Sequence, residues 1–572
     1  MVYVSLKKIR LFLIIVSILC SISVNAQNKV SVFSDDYKIY LDELNVLMSS
    51  SDNSTLKDSY KQFKRISSTN SFTKNQEQII ISISNKMLDK RLRAAPHFNQ
   101  FILSLSSFKK DPINNEKLDN WLSIASKVVE DVSTKKLLMF FYFTIDLLDN
   151  NTLRETKTTT WKTSSSEYLF EIDDNGPYIV FSKSSDFICL SNGSRLSIFG
   201  TEGNYFPFIN RWVGYGGSMN WTQKGISSDS VYVNLKKYNI DTRTTSVKAD
   251  SVSFFNKYMF EQPMLGVFSD KITKGKQGDN YPKFVSYAKD LVIKDIYPNV
   301  DYKGGYKLQG NDFIADGGKY AEAKIIFNNN GKVLFVANAN KFILGGNKII
   351  SKQVGIKIYF DNDSLYHSNL KFSYDNLSRK LKLSKSGRSR APMLNTYHKL
   401  NMEFELLEWK IDENIITFGS LPGTSQSQIN FESVDMYLES RFDELQGIDA
   451  IHPLILIEKY VNEKEEDQFF VEDFAHFAKF PLVQIQHYLM DLANKGFIFY
   501  DFGEERITVL PSLSRYVLAK SQQGDYDVIQ FNSKVNGNSL VIVNAVLNIA
   551  SKDLIIRGIN QIAVSDSQKV TF

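Results

Sequence analysis

A chain of 572 residues with 43% hydrophobic and 23% charged side chains has an ordinary globular composition and enough length for several domains with sizeable cores. Its formal charge of +5 shrinks once Lys7, Lys8 and Arg10 are set aside with the leader described next. The 68 basic residues become 65 against 63 acidic ones, a balance of +2 that gives no bulk attraction to a polyanion.

Residues 1–26 have the three parts of a secretory signal peptide. A basic start (Lys7, Lys8, Arg10) precedes an apolar core from Leu11 to Ile22, and Val24-Asn25-Ala26 offers a cleavage site before Gln27. The core is too short for a comfortable membrane span, so the mature protein is expected to be exported, in the periplasm or at the outer membrane or cell surface, with no transmembrane span after signal removal. Cys20 lies inside this leader and leaves Cys189 as the one cysteine of the mature chain, which excludes an internal disulfide. Leu19 stands where a lipoprotein signal wants a small residue. Cys189, in the apolar run Phe187 to Leu190, reads as a core thiol.

From 28 to 150 the pattern is helical and predicts a bundle of five or six helices. Leu118, Trp121, Leu122, Ala125, Val128 and Val129 recur at helical spacing, with Lys117, Asp119 and Lys127 on the other face. Thr73 and Gln76 form a capping-box pattern ahead of Ile79 to Leu88. Leu137 to Leu148 is apolar nearly all round, as in the central helix of a bundle. Residues 151–166 are rich in Thr and Ser and read as a linker.

The period then changes to two. Tyr168 to Ile172 and Tyr178 to Phe181 flank the turn formers Asp173 to Gly176. Further hairpins are expected at 323–327 with 332–336 and at 341–344 with 348–351, and Val354, Ile356, Ile358 and Phe360 alternate with small or polar neighbours. Residues 167–447 therefore form a long, mainly antiparallel β region, in one unit or in two with a break near 273–285. Echoes of Asp-Ser-aliphatic at Asp229, Asp250 and Asp363 leave both a sandwich and a solenoid-like stack open. The fold class is α+β, multidomain.

Between 448 and 520 helices return. Pro453 suits a first helical turn; a second helix starts near Val471; a third starts at Pro481, carries Ile485, Tyr488, Leu489 and Leu492 on one face, and stops at Gly496. A hairpin follows, Phe497 to Asp501 with Arg506 to Leu510. Three helices and a hairpin resemble a winged-helix domain. Residues 521–572 begin a further β region that runs to the last residue in strand-like sequence, so a longer repetitive protein is expected. Together with the block Gly214-Tyr215-Gly216-Gly217 and Trp221 and the Asp-Ser echoes, this ending resembles the N-terminal part of long, uncharacterised, β-rich exported bacterial proteins. That resemblance implies no activity.

Three groups of residues stand out as sites. A DNA-reading third helix wants Arg, Lys or Asn and a basic wing, whereas this one offers Gln484, Gln486 and His487 with Glu504 and Glu505 in the wing, so a structural or protein-docking role is expected and no nucleic acid. Lys380, Lys382, Lys385, Arg388 and Arg390, with Arg379, put six cations into twelve residues without an acid. Leu381 and Leu383 alternate with the lysines and send them to one strand face, a candidate contact for an anionic lipid, an acidic glycan or an envelope protein. Tyr205, Trp212, Tyr215 and Trp221, interleaved with glycines, form either a stacking platform for glycans or a core in which rings pack over glycine.

The six histidines lack zinc-ligand spacing, Asp361-Asn362-Asp363 reads as a β-turn rather than a calcium loop, and neither a nucleophile elbow nor a phosphate loop is present. No metal, cofactor or catalytic residue is expected. The reading is an exported cell-envelope structural or binding protein; a polysaccharide-binding or polysaccharide-active enzyme and a lipid-handling β-groove protein are the alternatives.

Overall fold

The computed structural model describes residues 30–571 apart from 50–52, 70–71, 112–113, 115, 274–279, 318–321, 330, 386–390, 422–425, 447–450, 502–504, 538–540 and 564–568. The expected signal peptide lies outside the described residues. The chain is α+β, mostly β, with eleven α-helices among the described residues and a large antiparallel sheet. It divides into two compact units, one holding the residues up to Asn256 with Val267–Pro282, the other Lys257–Gly266 with Lys283 onward.

Among the described residues the first unit has six α-helices: α1 (Tyr37–Ser49), α2 (Ser54–Ser68), α3 (Lys74–Asp89), α4 (Asn99–Phe108), α5 (Leu118–Asp131) and α6 (Thr134–Asn150). The capping box starts α3 as the sequence predicts: Gln76 N–H donates to Thr73 Oγ1 at 3.2 Å, and Thr73 N–H donates to Gln76 Oε1 at 3.0 Å. Two of the helix's first free N–H groups are thereby satisfied. Trp121 of α5 is the hub. Its Nε1–H donates to Thr144 Oγ1 at 3.0 Å, and its ring contacts Phe101, Phe108 and Phe140. Lys117, expected on the wet face, is instead buried. It precedes the first turn of α5, where its ammonium reaches Asn114 Oδ1 and the Ser166 carbonyl and lies over the Tyr168 ring.

The Thr/Ser-rich segment 151–166, expected to be a linker, is largely sheet. Thr152–Glu155 and Thr159–Thr163 are strands that pair with each other, and the second also pairs with the long strand Gly176–Ser191. Threonine is β-branched and suits strands, and Leu153 and Trp161 between the polar residues are buried. The turn at Asp173 to Gly176 is as expected, with Leu169–Asp173 pairing back on the long strand.

The second unit contains two antiparallel ladders. One runs through strands 324–327, 332–339, 354–360, 363–370, 393–395, 400–402, 426–433, 530–536 and 559–563. The other runs through 283–285, 305–309, 312–316, 341–345, 348–351, 370–375, 380–385, 406–410, 415–419, 543–548 and 554–556. Strands Lys348–Phe360 and Asp363–Asp375 belong to both, and their pairing register shifts between Ser351 and Val354 and again before Ile356, where they change ladder. Rings from the two ladders meet in one core: Phe327 lies 4.6 Å from Tyr374 and Phe335 5.9 Å from Trp409. Coils of a parallel β-helix pair parallel, whereas these strand pairs are antiparallel, and the two ladders turn their rings toward each other.

Strands Gln426–Ser433 and Gln530–Asn536 are neighbours, with Phe431 opposite Phe531. The chain between them forms a helical module: α7 (Glu439–Gln446), α8 (Pro453–Lys464), α9 (Val471–Ala478), α10 (Leu482–Asn494) and α11 (Pro511–Lys520). A three-stranded sheet, Gln468–Phe470, Arg506–Val509 and Ile498–Asp501, completes it. Its own core includes Leu454, Val471, Leu489, Ile498, Ile507 and Leu513.

Candidate docking surface

The helical module is built from local signals. Pro453 stands at the start of α8, where its missing N–H costs nothing. His452 caps that helix, with Nδ1 accepting from Leu454 N–H at 3.2 Å and Nε2 meeting the Phe442 carbonyl at 2.8 Å. Because Nδ1 accepts, the proton sits on Nε2. The ring stacks on Phe442 with centroids 3.7 Å apart, which fastens α7 to α8. Helix α10 ends at Gly496 in the left-handed region, φ 82°, as a helix stop does.

Helix α10 has two faces. Ile485, Leu489 and Leu492 are buried in the module, as the spacing predicts, while Tyr488, expected on the same face, is half-buried. Val483, His487 and Met490, at i, i+4 and i+7, are exposed, with Gln484 beside them; Val483 is 77% exposed and Met490 40%. This outward face carries no Lys or Arg. The helix is followed by Lys495, which pairs with Asp491 at 3.1 Å. Of the wing acids, Glu505 is described and exposed, while Glu504 lies outside the described residues.

Beside α10 a cleft of about 860 Å³ separates the module from the ladder, lined by Asn430, Glu432, Arg441, Arg515, Tyr516 and Gln530 among others. Its polar groups already serve one another. Arg441 reaches Glu432 Oε1 at 3.0 Å and Tyr516 Oη at 3.2 Å, Gln530 donates to Asn430 Oδ1 at 2.8 Å, and Arg515 donates to the Val434 carbonyl at 3.0 Å. The Arg441–Glu432 and Arg515–Val434 bonds hold the insertion onto the strand that precedes it.

The basic strand takes the orientation expected of it. Leu381 and Leu383 are fully buried, and Lys380 and Lys382 point away from the core. Both lysines, however, share one acid: Glu408 on the adjacent strand lies 3.0 Å from Lys380 and 2.9 Å from Lys382. Burial pushes the Glu408 carboxyl up, and the hydrogen bonds from the two lysines more than offset that and hold it below the usual range. Arg379 is paired with Asp412 at 2.9 Å. Lys385, half-buried, ends the strand. Arg388 and Arg390 lie outside the described residues.

The aromatic block divides. Tyr205, Trp212 and Trp221 are buried. Trp212 stacks on Phe187 at 4.3 Å, Phe187 stacks on Trp161 at 4.7 Å, and Trp221 meets Phe254 and Phe268 edge-on. Cβ atoms at Gly203 and Gly214 would overlap the Trp212 and Tyr238 rings, so rings pack over glycine here. A ring enclosed on both faces has none left for a sugar, which removes these three as stacking residues. Tyr215 keeps an exposed ring, with Lys237 Nζ 5.6 Å from its centroid.

Cys189 is buried, and burial pushes its thiol up to about 12, far from a reactive thiolate. Asp361 and Asp363 flank a tight turn, and Lys552 sits 3.2 Å from Asp361, where a calcium reading would want a metal. No group of three or more His, Cys, Asp or Glu side chains among the described residues is arranged to hold a metal. No helix among the described residues is long and apolar enough to cross a membrane. Sequence reasoning missed strand Gln468–Phe470 and helix α7; the apolar pair Phe469-Phe470 and the spacing of Phe442 and Leu445 were the available signals. No family model, no curated protein and no solved structure matches this chain.

Proposed function

We propose that this is an exported, non-catalytic binding component of the cell envelope, in which a β scaffold carries a winged-helix-like module that docks protein through its third helix. The order helix, strand, helix, helix, hairpin over 453–509 is the order of a winged helix. The observation that carries the reading is the outward face of α10, where Val483, His487 and Met490 are exposed without a cation among them. A face that reads DNA needs Lys or Arg for phosphates and base edges, whereas partly apolar faces are what protein interfaces bury.

Titration of the mature chain with fluorescent duplex DNA at low salt tests the module. No saturable binding is expected, and micromolar affinity with a steep salt slope would overturn the reading. Export has its own test. N-terminal sequencing of protein recovered from the envelope is expected to begin at Gln27, and a start at Met1 would remove the localisation.

A further inference from the structure

The place where the two long strands change ladder is also a cavity. Its volume is about 490 Å³, and it is lined by Lys341 and Ile343 of one strand, Ile350 to Gln353 and Gly355 of the next, Ser368, Asn369 and Lys371 of the third, Glu322, Asn340, and Phe499 from the helical module. Alternation explains the lining. Phe342, Leu344 and Ile349 are buried in the core between the ladders, so Lys341, Ile343 and Ile350 point the other way, with Ile343 directly opposite Ile350. Register shifts interrupt the pairing at this fork, and such irregularities re-aim side chains. Phe499 stands on the strand of the small sheet whose Ile498 and Tyr500 are buried in the module's core, so its own ring faces outward, over the cavity.

Two observations point to an occupant. Asn369 is only 4% exposed, yet its Oδ1 finds no hydrogen-bond partner, and neither does the buried Oγ of Ser368 beside it; native structures rarely leave such groups unpaired. The second is charge. Lys341 and Lys371 have no ion-pair partner among the described residues, while the neighbouring Lys289 is paired with Asp316. Lys307, two strands from Lys341 across Asp312–Asp316, is held below its usual range by burial and by the charges of Lys283, Lys341 and Lys289, against the pull of Asp316. The fork therefore combines apolar walls of Ile343, Ile350 and Phe499, neutral hydrogen-bonding groups, and an excess of cations over acids, with Glu322 the one acid among the described lining residues. A volume within the usual range for small-molecule pockets, apolar walls and a few convergent polar groups are the properties of a ligand pocket.

We propose that this fork binds an anionic amphiphile, a single apolar chain ending in a carboxylate or phosphate, with the chain against Ile343, Ile350 and Phe499 and the head between Lys341 and Lys371. The site is separate from the outward face of α10 and does not rest on the docking role proposed for it.

The test is isothermal titration of the mature chain with decanoate, decyl phosphate and uncharged decanol, each below its micellar concentration. Saturable one-to-one binding of an anionic probe is expected, at least about tenfold tighter than decanol, since charge-assisted contacts are worth about that factor or more. The two anionic arms separate a fatty-acid carboxylate from a lipid phosphate. Lys341→Gln with Lys371→Gln, both at the surface, is expected to remove the preference for the anion with circular dichroism unchanged, and Phe499→Ala to weaken all three probes. Equal affinity for decanol and the anions, an affinity indifferent to the lysine changes, or no saturable binding of either anion would each overturn the proposal.

Discussion

The buried His367 gives the sharpest link between structure and pH. Its Nδ1 accepts from the Asn369 backbone N–H at 2.9 Å and its Nε2 meets the Ala391 carbonyl at 2.8 Å, so the ring is neutral with its proton on Nε2. A second proton on Nδ1 would face the Asn369 N–H and break that bond. Burial is the main cause of a folded-state pKa of about 4; the bond to Ala391 opposes it and Lys385 adds to it. In the unfolded chain the ring titrates near its ordinary 6.5. The sign follows: between pH 6.5 and 4 the unfolded state binds the proton and the folded state does not, so the stabilisation is complete above 6.5 and is lost as pH falls toward 4. At about 1.4 kcal/mol per pKa unit, the loss reaches about 3 kcal/mol at pH 4. The perturbation is His367→Gln, which removes the titration, compared with wild type in urea at pH 7.5 and 4.5. Pulse-labelling hydrogen exchange read on peptides spanning 354–375 follows this unit alone. Wild type is expected to lose about 2 to 3 kcal/mol more than the variant between the two pH values. A stability difference that does not change with pH would refute the assignment to His367.

Two further outcomes are expected. Gly214→Ala puts a methyl group into the Tyr238 ring and is expected to destabilise the first unit by about 1 to 3 kcal/mol, read as a lowered thermal midpoint; an unchanged midpoint would mean that the ring moves aside freely. Replacing Lys380, Lys382, Lys385, Arg388 and Arg390 together by Gln is expected to leave the fold intact, because Leu381 and Leu383 supply the burial, and to weaken association with anionic vesicles at low ionic strength. Since Glu408 already holds two of the lysines, Glu408→Gln alone is expected to strengthen that association, and vesicle sedimentation that is indifferent to both changes would reduce the strand to a solvated surface.

The sequence by itself determined whatever depends on a few neighbouring residues. The capping box of Thr73 and Gln76, the buried stripe of α5, the turn at Asp173 to Gly176, the proline start of α8 and the glycine stop of α10 were all legible, because helix period, strand period and turn chemistry act over a handful of positions. The inward aim of Leu381 and Leu383 was legible for the same reason.

Tertiary structure alone decided which faces are covered and by what. A two-residue period says that Tyr205 and Trp212 lie on some face, but only the packing of Phe187 and Phe181 around Trp212 shows that face to be closed. Thr152 to Thr163 has the composition of a link and becomes sheet because Trp161 finds Phe187. The partner of Lys380 and Lys382 stands on another strand at Glu408, and Asn430 meets Asn532 across the whole inserted module. The fork at Ser351 to Ile356 exists because two long strands, Lys348–Phe360 and Asp363–Asp375, each serve both ladders. Local sequence encodes the alternation along a strand, whereas the choice of neighbour depends on contacts between residues far apart in the chain, which only folding brings together.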